Sequence, residues 1–140
     1  MWRELLITAY PECLLNKPIR AQEIYFVERT LGVQFPESLR QLLQEANGGA
    51  DGDAGWVLWD LTKVEKQNLG LRYIDTHMPV NHLLFFAENS SSDLFGFPII
   101  NKKVNTERVY VWRRDDDSRI CIAVSLQEFL QRWLTGALTI

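Results

Sequence analysis

The stretch Leu31 to Gly49, LGVQFPESLRQLLQEANGG, constrains the fold more than any other part of the chain, because it writes out a helix together with both its ends. Pro36 suits the first helical turn, where its missing N–H would lack a partner in any case. Leu39, Leu42, Leu43 and Ala46 recur at helical spacing as one apolar stripe, bracketed by Glu37 and Glu45. Phe35 is placed to pack back on Leu39, and Asn47-Gly48-Gly49 offers residues that accept positive φ, so an αL turn is expected to close the last carbonyls. A second helix precedes this one: Ala21, Ile24, Val27, Glu28 and Leu31 share a stripe that Gly32 stops. The two helices make a corner. Glu28 lies on the inward stripe, where a carboxylate needs a donor, and Arg40 is its candidate partner.

The flanking segments divide by their periodicity. Trp2, Leu5 and Leu6 suggest one or two helical turns ahead of a connection bounded by Pro11 and Pro18. After the turn-rich ADGDAG, Trp56 to Trp59 reads as a brief strand; period two puts positions 56 and 59 on opposite sides, so one indole is expected outside. Asp60 is a cap for a helix from Leu61 to about Gly70, with Leu61, Val64 and Leu69 inward. Leu83 to Ala87 is continuously apolar, the pattern of a central strand covered on both faces, and ends in the polar turn 88–93. Leu94 to Ile100 carries Phe95, Phe97 and Ile99 on one face, while Gly96 and Pro98 on the other suggest a bulge or an edge. Residues 108–112 and 119–124 alternate and are joined by an Asp-rich turn, which predicts a hairpin. A last helix has Ser125 and Glu128 as a capping box, Val124 and Phe129 as a staple, and Phe129, Leu130, Trp133 and Leu134 inward until Gly136. No strand-helix-strand rhythm repeats, so the expected class is α+β, a mostly antiparallel central sheet with helices packed on it, in one domain spanning 1–140.

Composition excludes more than it assigns. At 140 residues, 46% hydrophobic and 24% charged, the chain has enough apolar surface for a core without disulfides or metal. Cys13 and Cys121 sit in apolar settings and read as reduced interior residues, the Cys121 thiol buried in its strand and inert, which points to a cytoplasmic location. The opening segment has neither a basic n-region nor an unbroken apolar run, so no signal peptide or membrane span is expected. A net charge of −3 is too small to argue for nucleic acid or an anionic membrane.

No motif supplies chemistry. His77 and His82 match no common zinc spacing; Asp51, Asp53 and Gly55 resemble the start of a calcium loop whose later ligands are out of register. There is no nucleophile elbow, and Gly48-Gly49 follows a helix instead of preceding one, so no phosphate cradle forms and no cofactor is expected. Glu88 and Asp93 flank one loop as the sole acid–base candidate, against the commoner role of capping a turn. Lys102, Lys103, Arg108, Arg113 and Arg114, with Tyr110 and Trp112 interleaved, sketch a basic aromatic face, but the adjacent Asp115, Asp116 and Asp117 would repel phosphate.

Taken together the landmarks resemble the SUKH superfamily, the group of Smi/Knr-type cell-wall assembly regulators and many bacterial relatives. They are Glu28, Leu31-Gly32, Pro36, Leu39-Arg40 and Asn47-Gly48-Gly49, then Trp59, Leu84-Phe85-Phe86, Asp93-Leu94-Phe95-Gly96-Phe97, Val109-Tyr110-Val111-Trp112, and Ala123-Val124-Ser125 to Trp133-Leu134. The likeness covers about residues 20–136 and leaves 1–19 outside. It implies an α+β domain without catalysis. Bacterial members are similar to immunity proteins that bind a cognate polymorphic toxin, often a nuclease; fungal members resemble signalling scaffolds. Such a protein acts through its surface, with a toxin protein as partner and neither nucleic acid nor membrane. The expected binding residues, chosen for exposure with charge or large apolar area, are Asp51, Asp53, Trp56, Asp60, Glu88 and Asp93, then Trp112, Asp115, Asp116 and Asp117. No catalytic, cofactor or metal residue is assigned.

Overall fold

The computed structural model describes residues 1–51, 55–72 and 82–138. In chain order the elements are α1 (Trp2–Ala9), β1 (Leu14–Leu15), α2 (Ala21–Leu31), α3 (Glu37–Glu45), β2 (Gly49–Ala50), β3 (Trp56–Leu58), α4 (Leu61–Leu71), β4 (Leu83–Asn89), β5 (Leu94–Pro98), β6 (Val109–Arg113), β7 (Ser118–Ala123) and α5 (Leu126–Leu134). The strands form one seven-stranded sheet in sequence order, and every neighbouring pair is antiparallel. The fold is α+β, as the order of apolar patterns implied.

The α2–α3 corner forms as its residues dictate. Gly32 caps α2 in the left-handed region at φ 68°, and the Glu28 carboxylate accepts from Arg40 Nη2 at 2.7 Å and from the Phe35 N–H at 2.6 Å. Pro36 is the N-cap of α3, one position ahead of the first helical turn expected for it. The other end of α3 differs from expectation. Ala46 is extended and the helix stops without an αL turn; the positive φ falls two residues later, at Gly48 with φ 83°. A Cβ there would lie 2.7 Å from both Leu58 O and Asp60 N, so Gly48 is needed where two backbones meet, not to close a helix.

One face of the sheet is set by aromatic packing. Phe129 and Trp133 of α5 lie on Phe95 at 4.9 and 5.0 Å between centroids, Phe86 stacks on Phe97 at 4.7 Å, and Trp56 is held between Trp133 and Tyr10 at 5.8 and 5.7 Å. Phe85 and Trp112, in register with Gly96 and Leu94 on the other face of the sheet, meet at 5.7 Å. β4 is central, as its apolar run required, but it is β4 and not β5 that is bulged, at Phe85 to Ala87 opposite Gly96 and Phe95. β5 pairs on both sides and is no edge.

Three burial expectations fail. Trp56 and Trp59 are both buried: β3 ends at Leu58, so Trp59 is released from pleat alternation and turns inward, its indole N–H donating to Glu88 at 2.8 Å. Cys121 is exposed because β7 is the outer strand of the sheet, and Cys13 is half-buried. Val124 is 67% exposed and makes no buried staple, although Phe129 is fully covered. The capping box of α5 is present in shifted form: Ser125 Oγ accepts from the Glu128 N–H at 3.1 Å, while the Glu128 carboxylate reaches back to the N–H of Val124 at 3.3 Å. Strands β1 and β2, paired Leu14 with Ala50 and Leu15 with Gly49, had no periodic signature to announce them.

Candidate protein-binding surface

An antiparallel meander returns every second turn to the same end of its sheet. Here that rule places the β2–β3, β4–β5 and β6–β7 connections together, with Trp56 opposite Asn89, Leu94 opposite Trp112, and Arg113 opposite Ser118 at that end. The three connections carry Asp51, Asp93, Asp115, Asp116 and Asp117, with Glu88 close by on β4. Local chemistry explains why turns hold these residues: short carboxylates bond nearby backbone N–H groups and so compete well with strand pairing.

Most of these carboxylates have an identifiable local role. Asp51 accepts from the Gly55 N–H at 2.8 and 3.0 Å. Asn89 Oδ1 accepts from the Asp93 N–H at 3.0 Å and its Nδ2 donates to the Asp93 carboxylate at 3.1 Å, folding the 90–93 turn around one amide. Asp116 accepts from the Ser118 N–H at 3.0 Å; bonding to Ser118 holds its carboxyl below the usual carboxylate range. Asp117 accepts from the Trp112 indole at 2.7 Å and from Arg119 Nη2 at 2.9 Å. Asp115 and Asp116 are exposed, whereas Asp51, Glu88, Asp93 and Asp117 are half-buried.

Three of the expected residues add nothing to the exposed surface of this end. Trp56 and Trp112 are buried and cannot be the exposed anchors foreseen for them: the first packs under Tyr10 and Trp133, and the second lies against Phe85 with the Arg114 guanidinium 5.3 Å from its ring centroid. Asp60 sits beyond the other end of β3, where it caps α4 by accepting from the Lys63 N–H at 2.8 Å. Asp53 and His77 lie outside the described residues.

Glu88 is held as the charge partner of Lys63 instead of being set up as a general acid. Burial works against its ionisation, yet hydrogen bonds from Lys63 and Trp59, with the charges of Lys63 and Arg114, outweigh burial and hold its carboxyl below the ordinary value of 4.5. A general acid needs the opposite displacement. Nor are the basic residues gathered as one face. Arg113 and Arg114 lie at the acidic end, while Lys102, Lys103 and Arg108 lie in the β5–β6 connection at the other. No helix among the described residues is long and apolar enough to cross a membrane, and no group of three or more His, Cys, Asp or Glu among them is arranged to hold a metal ion.

Residues that sequence reasoning passed over are Tyr25 and Phe26, exposed side by side on α2. Their signal was available, since both fall off the Ile24, Val27, Leu31 stripe.

Comparison with known proteins gives one finding. The SUKH model described as SMI1-KNR4 cell-wall matches residues 21–130, well over half of the chain. The comparison with curated proteins gave no match.

Proposed function

Because the chain belongs to the SMI1-KNR4 cell-wall family, we propose that it is a non-catalytic protein-binding domain, most specifically an immunity protein that neutralises a cognate toxin by occluding its working surface. The observation that carries this reading is the gathering of turn carboxylates from three separate connections at one end of the sheet. A surface of that sign suits a basic partner, such as the substrate-binding face of a nuclease, through complementary charge that speeds encounter and fixes orientation. Arg113 and Arg114 at the same end add side chains of a type that anchors interfaces, and an interface of ordinary size takes about 800 Å² per partner. In this reading residues 1–140 act as one domain in the bacterial cytoplasm.

The second reading is a regulatory or signalling scaffold of Smi/Knr type, favoured by the cell-wall description of the matching family. Co-expression with the product of the adjacent gene separates the two. Rescue of growth from a lethal neighbour supports immunity, provided that rescue is lost when Asp115 and Asp116 are both changed to Lys while Tm stays within about 2 °C. A harmless neighbour, with a stable complex to an endogenous regulator, supports the scaffold. Turnover that Glu88→Gln abolishes would displace both readings in favour of an enzyme.

A further inference from the structure

We propose that the corner between α2 and α3 is a second docking surface, which takes an acidic peptide segment of a partner protein with one apolar side chain in its middle. It is distinct from the end that carries the turn carboxylates and independent of the reading given to that end.

The corner exposes more apolar surface than folding needs. Tyr25 and Phe26 are 49% and 62% exposed although their neighbours Ile24 and Val27 are buried. Beside Tyr25 opens a cavity of about 310 Å³ lined by Tyr25, Arg29, Val33, Gln34 and the Glu28–Arg40 pair, at the small end of the size range of ligand pockets. The Arg40 guanidinium lies 5.5 Å from the Tyr25 ring centroid, and its buried Nε hydrogen-bonds to no described residue.

A strained turn adjoins this cavity. Ile100 and Lys103 exchange backbone hydrogen bonds of 2.9 and 3.2 Å around Asn101 and Lys102, whose φ values are 53° and 65°. Two positive φ angles make this a type I′ turn, whose second central position suits glycine; here it holds lysine. The turn is stitched to the cavity through Gln34, which donates to Lys102 O at 2.9 Å and accepts from the Val104 N–H at 3.0 Å. A cation kept in a left-handed conformation beside an aromatic-rimmed cavity points to work outside the fold.

Charge identifies the occupant. Glu28 and Glu37 are both engaged by Arg40, whereas Arg29, Lys102 and Lys103 are exposed and form no ion pair with any described residue. The rim therefore favours carboxylates and the cavity an apolar side chain. Nucleic acid fits less well, because the lining of Tyr25 and Val33 suits an apolar side chain, which a phosphate backbone does not carry.

The test is titration of the ¹⁵N-labelled full chain with the blocked peptide Glu-Glu-Leu-Glu-Glu to millimolar concentration. Saturable amide shifts at Gly32, Val33, Gln34 and Lys103 are expected. Tyr25→Ser should weaken binding roughly fivefold. Lys102→Gly should weaken it roughly threefold while raising Tm by about 3 °C, as the turn relaxes. Absence of saturable shifts, an equal response to Lys-Lys-Leu-Lys-Lys, or a stronger one to a short thymidine oligonucleotide would overturn the proposal. So would a Lys102→Gly variant that binds as well as the parent.

Discussion

One side chain of α4, Asn68, satisfies both main-chain groups of Phe85: its Nδ2 donates to the Phe85 carbonyl at 2.9 Å and its Oδ1 accepts from the Phe85 N–H at 2.9 Å. The need arises because β3 ends at Leu58, opposite Ala87, so that at Phe85 the central strand has lost its neighbour on that side. A buried amide stands in for a missing peptide group. The same Nδ2 also donates to Val64 O at 2.7 Å, tying the strand to the helix that supplies the amide.

Asn68→Leu should therefore destabilise the protein by about 2–4 kcal/mol, since it strands a buried donor and a buried acceptor together. The urea midpoint reads the loss. A decrease below about 1 kcal/mol would mean that Phe85 finds other partners.

At the α2–α3 corner, burial works against the charge on Arg40, but hydrogen bonds and Coulombic attraction from Glu28 and then Glu37 prevail and hold its pKa up. Removing the cation leaves a covered carboxylate with the Phe35 N–H as its remaining described donor, so Arg40→Ala should cost about 3 kcal/mol. The double change Glu28→Gln with Arg40→Met should cost clearly less than the sum of the single changes. A double-mutant cycle checks this, and strict additivity would remove the coupling.

Glu88 predicts a pH dependence whose sign follows from its depressed pKa. A carboxyl that ionises more readily folded than unfolded adds stability that is fully present above its unfolded value and is lost as pH falls through the folded one. The parent should thus exceed Glu88→Gln in Tm at pH 6–7, and the gap should close on acidification below about 4.5. Melting curves at stepped pH measure it; a gap that persists unchanged to low pH would show that packing, not charge, distinguishes the two.

The two helix caps offer a milder test. Asp60 accepts from the Lys63 N–H at 2.8 Å and Ser125 from the Glu128 N–H at 3.1 Å. Each change to Ala should cost about 1 kcal/mol. With no shared hydrogen-bond partner, the two losses should add in chemical denaturation.

Legibility in the sequence tracked the range of the interaction. The corner of α2 and α3, the Glu28–Arg40 pair, the Asp60 cap, the central placement of β4 and the β6–β7 hairpin were readable because helical spacing, alternation and short turns announce themselves within a few residues. Strands β1 and β2 were not readable, since two residues carry no period and exist as strands only by pairing with each other and with β3. Trp112 was expected outside on the strength of its type, yet its burial depends on Phe85 and Asp117. The candidate surface was half legible: its carboxylates were picked out by turn chemistry, but not which turns share an end, nor that Asp60 belongs elsewhere.

The order of amino acids by itself determined where the helices lie, the main inward stripe of each, and the α+β class, because those choices rest on contacts between near neighbours along the chain. Tertiary structure alone decided that Asn68 completes β4, that both Trp56 and Trp59 turn inward, and that carboxylates from three distant turns lie at one end of the sheet. The reason is physical: burial and sheet register are fixed by groups far apart in sequence, which become neighbours when the meander closes.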